Sequence, residues 1–343
     1  MTTSMRGGLT PGELQAVGEA SLRYTGELGL KNAADTSHLP KKSIAELQGL
    51  EHPAGSGDSA LIISAGPSLH KQNPAALIKK SGYKGTLIAA DAALNYCLRE
   101  GLVPHYVITV DPHPVYIMRW FGDPDFDRRP QDDYFERQEL DPALAKDQRA
   151  KNARQIELVN RHGHSMKLVI ATSVAAAVAK RCLEAGMELY WWNPLYDDWG
   201  APGSYTRRAH AMNGLPCMVG GGNVATSGWI FAHSILGKKR VGLVGMDFGY
   251  PPGTAFFNTQ RYYEMKEFFG EDNIAQGYIQ VPNPHLVETW FTDPTYAWYK
   301  QGFLDMARVA PCRTYNCTGG GIIFGENIEW TDLGRFLSGR EAS

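Results

Sequence analysis

Apolar residues fall in short, dense runs along the middle of the chain. Residues 60–64, 86–90, 105–110, 167–171, 188–192 and 240–244 are such runs, 313–316 is a further short β-rich run, and stretches with helical spacing separate them. Runs this short and this apolar belong to strands buried on both faces, as in a mostly parallel sheet. The pattern predicts a doubly wound α/β fold with helices on both faces. Ahead of the first run, residues 10–28 and 42–50 have helical spacing. They are joined by a polar segment containing Pro40 and end in His52-Pro53-Ala54-Gly55-Ser56-Gly57, a linker composition. The expected organisation is an N-terminal helical arm over 1–57, one domain over 58–325, and a C-terminal helix or tail over 326–343.

The pattern breaks between 121 and about 164. Residues 123–141 hold eight acidic and three basic side chains with Pro124 and Pro130, and a charged helix-like run follows over 142–160. A solvated insertion carrying an exposed helix is the ordinary reading, and a lid over the neighbouring strand end is the sharper one. Two further irregular regions, 199–218 and 249–294, are rich in Gly, Pro, Tyr and Phe, as substrate-holding loops commonly are.

Composition narrows the function classes. Lys plus Arg number 34 against 36 Asp plus Glu, so the 343-residue chain carries a formal charge of −2 and lacks the basic surplus of a nucleic-acid binder. Apolar stretches such as 168–179 stop well short of the roughly 18 residues a membrane span needs. Residues 1–8 have no apolar segment resembling a secretory signal, so a cytoplasmic location is expected. Five scattered cysteines without a CxxC pair fit a reducing compartment.

Candidate chemistry gathers where strands end. Ser64-Ala65-Gly66-Pro67-Ser68 follows an apolar run and precedes a helical stretch, a turn that offers backbone N–H groups and a hydroxyl to a phosphate. It is neither GxxxxGK[ST] nor GxGxxG, and Pro67 removes an N–H that a dinucleotide fingerprint needs. Asp91, with Asn95 beyond it, and Asp111, with His113 beyond it, each follow a strand, at the edge where open α/β sheets bind ligands. Either aspartate is an N-cap or a ligand for ribose hydroxyls or Mg²⁺, and His113 would add a base or a phosphate donor. Gly220-Gly221-Gly222-Asn223, with Thr226, forms a second candidate anion cradle. Asp247 ends another strand, and Thr318-Gly319 begins a glycine-rich turn after the last. Trp191-Trp192 and the 296–299 aromatics are expected in the core. No Gly-x-Ser-x-Gly elbow is present, which excludes the usual serine hydrolase signature.

Six of these motifs in order resemble one family. They are Ile62-Ile63-Ser64-Ala65-Gly66-Pro67-Ser68-Leu69, Ala89-Ala90-Asp91, the stretch from Pro104 to Asp111-Pro112, Gly221-Gly222-Asn223-Val224-Ala225-Thr226, Leu243-Val244-Gly245-Met246-Asp247, and Asn316-Cys317-Thr318-Gly319-Gly320. The family unites motility-accessory-factor glycosyltransferases with MptE-type 6-hydroxymethyl-7,8-dihydropterin diphosphokinases. The resemblance covers roughly residues 58–325 and implies a Rossmann-like fold, similar also to sialyltransferases that use CMP-activated sugars. It implies a cytoplasmic transferase. One form is a glycosyltransferase moving a nine-carbon, sialic-acid-like sugar from a nucleotide-activated, CMP-linked donor to a small-molecule, glycan or flagellin hydroxyl. The other is a Mg²⁺-dependent diphosphokinase using ATP, and a non-catalytic nucleotide-binding protein is a third reading. On the first, Gly66, Pro67, Ser68, Gly221, Gly222, Asn223, Thr226, Thr318 and Gly319 surround the phosphates, and Asp91 and Asn95 hold ribose or base. Asp111, His113 or Asp247 is then the general base. On the second, Asp91, Asp111 and Asp247 hold Mg²⁺. The chain is shorter than flagellin-modifying members, and a minimal pterin enzyme has no need of the 121–164 insertion.

Overall fold

The computed structural model describes residues 11–39, 41–50, 55, 57–129, 133, 134, 137 and 147–339. The chain enters through a helix, Pro11–Asp35, and then forms β1 (Lys42–Ser43), β2 (Ser59–Ile63), β3 (Thr86–Ala90), β4 (Tyr106–Thr109), β5 (Lys167–Ala171), β6 (Glu188–Leu195), β7 (Cys217–Val219) and β8 (Arg240–Val244). After a separate antiparallel pair, β9 (Ile279–Asn283) with β10 (Glu288–Thr292), it returns through β11 (Arg313–Asn316) and β12 (Ile328–Trp330). Ten of these strands make one sheet in the order β1-β6-β5-β4-β3-β2-β8-β11-β12, with β7 also on β6, and every pairing in it is parallel. This is the doubly wound, Rossmann-like α/β fold expected.

The period of two explains why the central runs are apolar throughout. Ala60 and Ile62 enter one core with Ile88 and Ile108, while Leu61 and Ile63 enter another with Leu87, Ala89, Leu69, Ile78 and Phe336. Each large aliphatic side chain so buried contributes roughly 1.5–3 kcal/mol, so neither face tolerates a polar residue cheaply. The helix Val224–Ile230 lies directly on β2, β3 and β4, where Gly228 leaves only van der Waals space to Ile62, Ile88 and Ile108.

β3 leaves β2 on one side and β8 joins it on the other. The connections at their carboxyl ends therefore diverge and open a crevice, the topological switch point of such sheets. Backbone pairing continues past the strands there, from Ser64 N to Val244 O at 2.9 Å and from Gly66 N to Gly245 O at 2.8 Å.

Three expectations change. The 42–50 stretch is not a helix: Lys42–Ser43 pairs with β6, and only Ile44–Leu47 turns, as a 3₁₀ segment capped by Ser43 and Glu46. The 326–343 tail adds a strand, β12, to the sheet edge before its helix Leu333–Ser338, with 340–343 outside the described residues. The insertion is more than a solvated face. Its helix Gln148–His162 buries Gln155, Leu158 and Val159, and Arg137 is nearly buried, donating at 2.8 Å to the carbonyls of Phe257 and Thr259. Parts of that insertion (130–132, 135, 136 and 138–146), most of the 52–57 linker, and residues 1–10 lie outside the described residues. No helix among the described residues is long and apolar enough to cross a membrane.

Candidate functional site

A cavity of about 980 Å³ opens at the carboxyl edge over the switch point. Its floor is the pair of turns after β2 and β8. Asp247 is 2 % exposed, and its Oδ2 accepts from both Ser68 N and Ser68 Oγ at 2.9 Å. A Cβ on Gly66 would collide with that same Oδ2 and with the Gly245 carbonyl, so the turn needs glycine to approach the carboxyl at all. Burial pushes Asp247 up to about 7, against the pull of the two Ser68 hydrogen bonds. Neither its Oδ1 nor the hydroxyl of Ser64, just past β2, has a hydrogen-bond partner among the described residues, although both are buried. Two orphaned polar atoms at a cavity floor are what a polar ligand would satisfy.

Asp91, at the end of β3, is equally buried. Its Oδ2 accepts from Thr109 Oγ1 at 2.7 Å and its Oδ1 from Ala92 N at 2.7 Å. Burial raises it to about 7, partly opposed by those bonds and reinforced by the charge of Asp111. Asp111 itself is exposed at the rim, and its Oδ1 accepts from His113 N at 2.8 Å. Asp91, Asp111 and Asp247 share the cavity lining, yet no group of three or more His, Cys, Asp or Glu that could hold a metal ion forms among the described residues. As a three-carboxylate Mg²⁺ site they do not fit.

The remaining candidates divide. Gly66, Pro67, Asn95, Gly221, Gly222 and Asn223 line the cavity, whereas Ser68, His113, Thr226, Thr318 and Gly319 do not. Ser68 reaches it only through Asp247. His113 is occupied in capping the helix Pro114–Trp120, with Nδ1 accepting from Val115 N and Tyr116 N, and its ring stacks on Tyr116 at 4.0 Å. Thr226 is buried under the Asn223 cap, its hydroxyl accepting from Asn223 Nδ2 at 2.8 Å. Thr318 donates its N–H to Asn316 Oδ1 at 2.9 Å, and the Gly319 carbonyl faces Gln72.

Gly222 has a different tenant from the anion that its spacing predicts. At φ +81°, a Cβ there would stand 2.6 Å from the Tyr299 ring and 3.1 Å from Trp298, so the turn packs beneath this aromatic pair. The expectation that residues 296–299 sit in the core holds in part: Tyr296 and Tyr299 pack against the core, yet with Trp298 they are half-buried and line the cavity, while Trp191 and Trp192 are the fully buried pair. Asp293 sets them there, capping the helix Pro294–Val309 by accepting from Tyr296 N at 2.9 Å and fixing Tyr250 OH at 3.0 Å. Phe248 joins them through a left-handed backbone, φ 50°, rarely taken by a residue with a side chain. Burial raises Tyr299 to about 12, so its phenol stays protonated at neutral pH. The aromatic richness of 249–294 was the available signal for part of this wall.

The insertion and the N-terminal helix complete the lining. Tyr134 stacks on Tyr116 at 4.2 Å and accepts from Gln260 Nε2 at 3.0 Å, and Lys151 joins it at the cavity. From the Pro11–Asp35 helix come Gly18, Glu19, Leu22 and Thr25. The helix is anchored by Asn32, which donates to the Ser173 carbonyl at 2.6 Å and the Pro112 carbonyl at 3.2 Å.

Residues 30–121 match the family described as 6-hydroxymethylpterin diphosphokinase MptE-like. The match spans less than a third of the chain. It runs from the end of the first helix through β4 and carries Ser64–Pro67, Asp91, Asn95 and Asp111. The other half of the cavity, from Gly220 to Tyr299, lies beyond the matched residues. Over 90% of its length the chain is similar to the MAf glycosyltransferase from Magnetospirillum magneticum AMB-1, with a TM-score of 0.53 and 15% identity, and it spans 38% of that protein. At that identity the likeness is one of fold. The first comparison supports the resemblance to the MptE-like family over its own residues, and the second supports the Rossmann-like fold. No curated protein matches the chain.

Proposed function

We propose that this chain is a glycosyltransferase that takes a sugar from a nucleotide-activated donor, a CMP-linked nine-carbon sugar, and passes it to a hydroxyl. The observation that carries this reading is the cavity over the β2/β8 switch point, with two orphaned polar atoms at its floor and an aromatic wall above. The glycosyltransferase fold of the structural relative supports it. The turn at Gly66 and Pro67 faces the donor phosphate, with Ser64 Oγ as an additional donor. Ser68 acts by holding Asp247, whose Oδ1 meets the ligand. Asp91 and Asn95 take ribose or base, and the turn of Gly221, Gly222 and Asn223 supports the aromatic pair from below.

In the transfer, the acceptor oxygen bonds to the anomeric carbon as the bond from that carbon to the phosphate oxygen breaks. CMP leaves with the electron pair, and the hydroxyl proton passes to Asp111. Fixed dipoles at the turn stabilise the charge that develops on the phosphate. Asp111 is assigned as base because its carboxylate stands at the rim, where an acceptor arrives, whereas the His113 Nδ1 is spent on backbone N–H groups. The Asp111→Asn variant retains the bond to His113 N, so it should melt with the parent while transfer falls about 100-fold or more. Full turnover by this variant would remove the assignment.

A second reading, pyrophosphoryl transfer from ATP to a hydroxymethylpterin, is favoured by the MptE-like match itself. Thermal-shift titrations with CMP and ATP, each with Mg²⁺ and with EDTA, separate the two. A metal-independent rise with CMP supports sugar transfer, a rise confined to ATP with Mg²⁺ supports the second reading, and silence throughout supports a non-catalytic role.

A further inference from the structure

Charge and shape divide the cavity into two ends. At one end, Asn95 and Arg99 come from the helix Leu94–Arg99, His70 packs edge-on against Tyr96 of that helix at 5.6 Å, and Lys151 stands with Asn95 at an adjoining recess. This end gathers the cationic side chains of the lining. The other end lies between two helices. Trp298, Gln301, Gly302 and Asp305 recur on the helix Pro294–Val309 at the spacing of one face, and Gly18, Leu22 and Thr25 do the same on the Pro11–Asp35 helix. The two faces meet where a Cβ on Gly18 would stand 3.3 Å from the Trp298 indole.

Among the described residues, the charged groups that line the cavity from these two helices are carboxylates. Glu19 lines the cavity from one helix and Asp305 from the other. The Asp305 carboxylate is held in orientation by Gln301 Nε2 at 3.2 Å and Arg308 Nη2 at 2.6 Å. Gly302, one turn beyond Trp298, has nothing within 4 Å of where its Cβ would be, so the floor beside the indole is open. A half-buried indole at the cavity, a carboxylate held in orientation and an open glycine floor suit a ligand with an apolar C–H face and hydroxyl donors around its rim.

We infer that the acceptor is a neutral sugar whose ring lies on Trp298 over Gly302, with hydroxyls donating to Asp305 and Glu19. The donor's anionic groups occupy the opposite end, near His70, Arg99 and Lys151. This rests on the transferase reading above and commits its acceptor to one substrate class, in place of a serine or threonine of a polypeptide. The bond made is between one acceptor-sugar hydroxyl oxygen and the anomeric carbon of the donor, with CMP as the leaving group.

The decisive variant is Gly302→Leu. It fills the open floor at a helical position that Leu favours over Gly, so the fold should be as stable as the parent's or more so. Saturation-transfer NMR on the full chain, with CMP, with lactose and methyl α-glucoside, and with a Gly-Ser-Thr-Gly peptide as probes, reads both ends separately. Expected are sugar signals in the parent, a loss of sugar affinity of about tenfold or more in Gly302→Leu, and CMP binding within twofold of the parent. Trp298→Ala should likewise lose the sugar. Absence of binding by either neutral sugar, undiminished sugar binding in Gly302→Leu, or peptide binding that Gly302→Leu abolishes would each overturn the inference. Sugar binding blocked by Gly302→Leu in a chain that does not bind CMP would keep the sugar site and remove the transferase reading instead.

Discussion

Two glycine turns sit at the carboxyl edge of this sheet, and they are occupied differently. The turn at Gly66 closes on a buried carboxyl and a main-chain carbonyl, Asp247 Oδ2 and Gly245 O, neither of which has anywhere to go. The turn at Gly222 closes on the rings of Tyr299 and Trp298, side chains at the wall of an open cavity. Both are glycines for close approach, but one approaches rigid main chain and the other approaches movable rings. A glycine-rich turn at a strand end therefore states that something comes near, and only the packing states whether it is ligand, backbone or aromatic wall.

The comparison can be broken by adding a methyl group at each turn. Gly66→Ala should cost about 3 kcal/mol in urea denaturation, the upper range for overpacking against fixed atoms. Gly222→Ala should cost less, about 2 kcal/mol, most of it for a side chain at positive φ, because Tyr299 can swing away. Its larger consequence should be weaker ligand binding. Equal losses at the two sites would show that the rings are as fixed as the backbone.

A smaller effect of opposite sign sharpens the first turn. The unfolded Asp247 carboxyl titrates near 3.8 and the folded one near 7, so the folded state holds the extra proton between these values. Stability contributed there is present at pH 4, falls as pH rises to about 7, and is flat above. In Asp247→Asn the Ser68 donors keep an acceptor and there is no proton to lose. At pH 8 the variant should be more stable than the parent by about 1 kcal/mol, with the gap closing toward pH 4. Part of the pH slope should survive in the variant through Asp91, which is shifted the same way. Identical melting curves at pH 8 would mean that the carboxyl is not carried as a buried acid.

Much of the sheet was readable because β3, β5 and β8 are largely apolar runs whose ends coincide with a change of pattern. The edge strands were not. Lys42–Ser43 and Ile328–Trp330 are too short to display a period, and Ser43 with Glu46 is a capping signal that does begin a turn, though a short one. At the site, Asp91, Asp111 and Asp247 stood out as acids after strands. Their unlike fates depend on partners that local pattern does not reveal: Thr109 for Asp91, Ser68 for Asp247, and solvent for Asp111. Trp298 and Tyr299 read as core because aromatic residues usually are, and local pattern does not show that the helix capped by Asp293 borders a cavity.

The placement of β8 beside β2 has a consequence for synthesis of the chain. Between Ile63 and Arg240 the ribosome must add about 180 residues, which takes roughly 10–40 s at ordinary elongation rates. For that interval the edge of Leu61, Ile62 and Ile63 that will pair with β8 has no native partner. An unpaired, uncharged apolar edge is a template for association with other chains. Yield of soluble protein should therefore depend on translation speed and on chaperones that cover this edge while the second half of the chain is made.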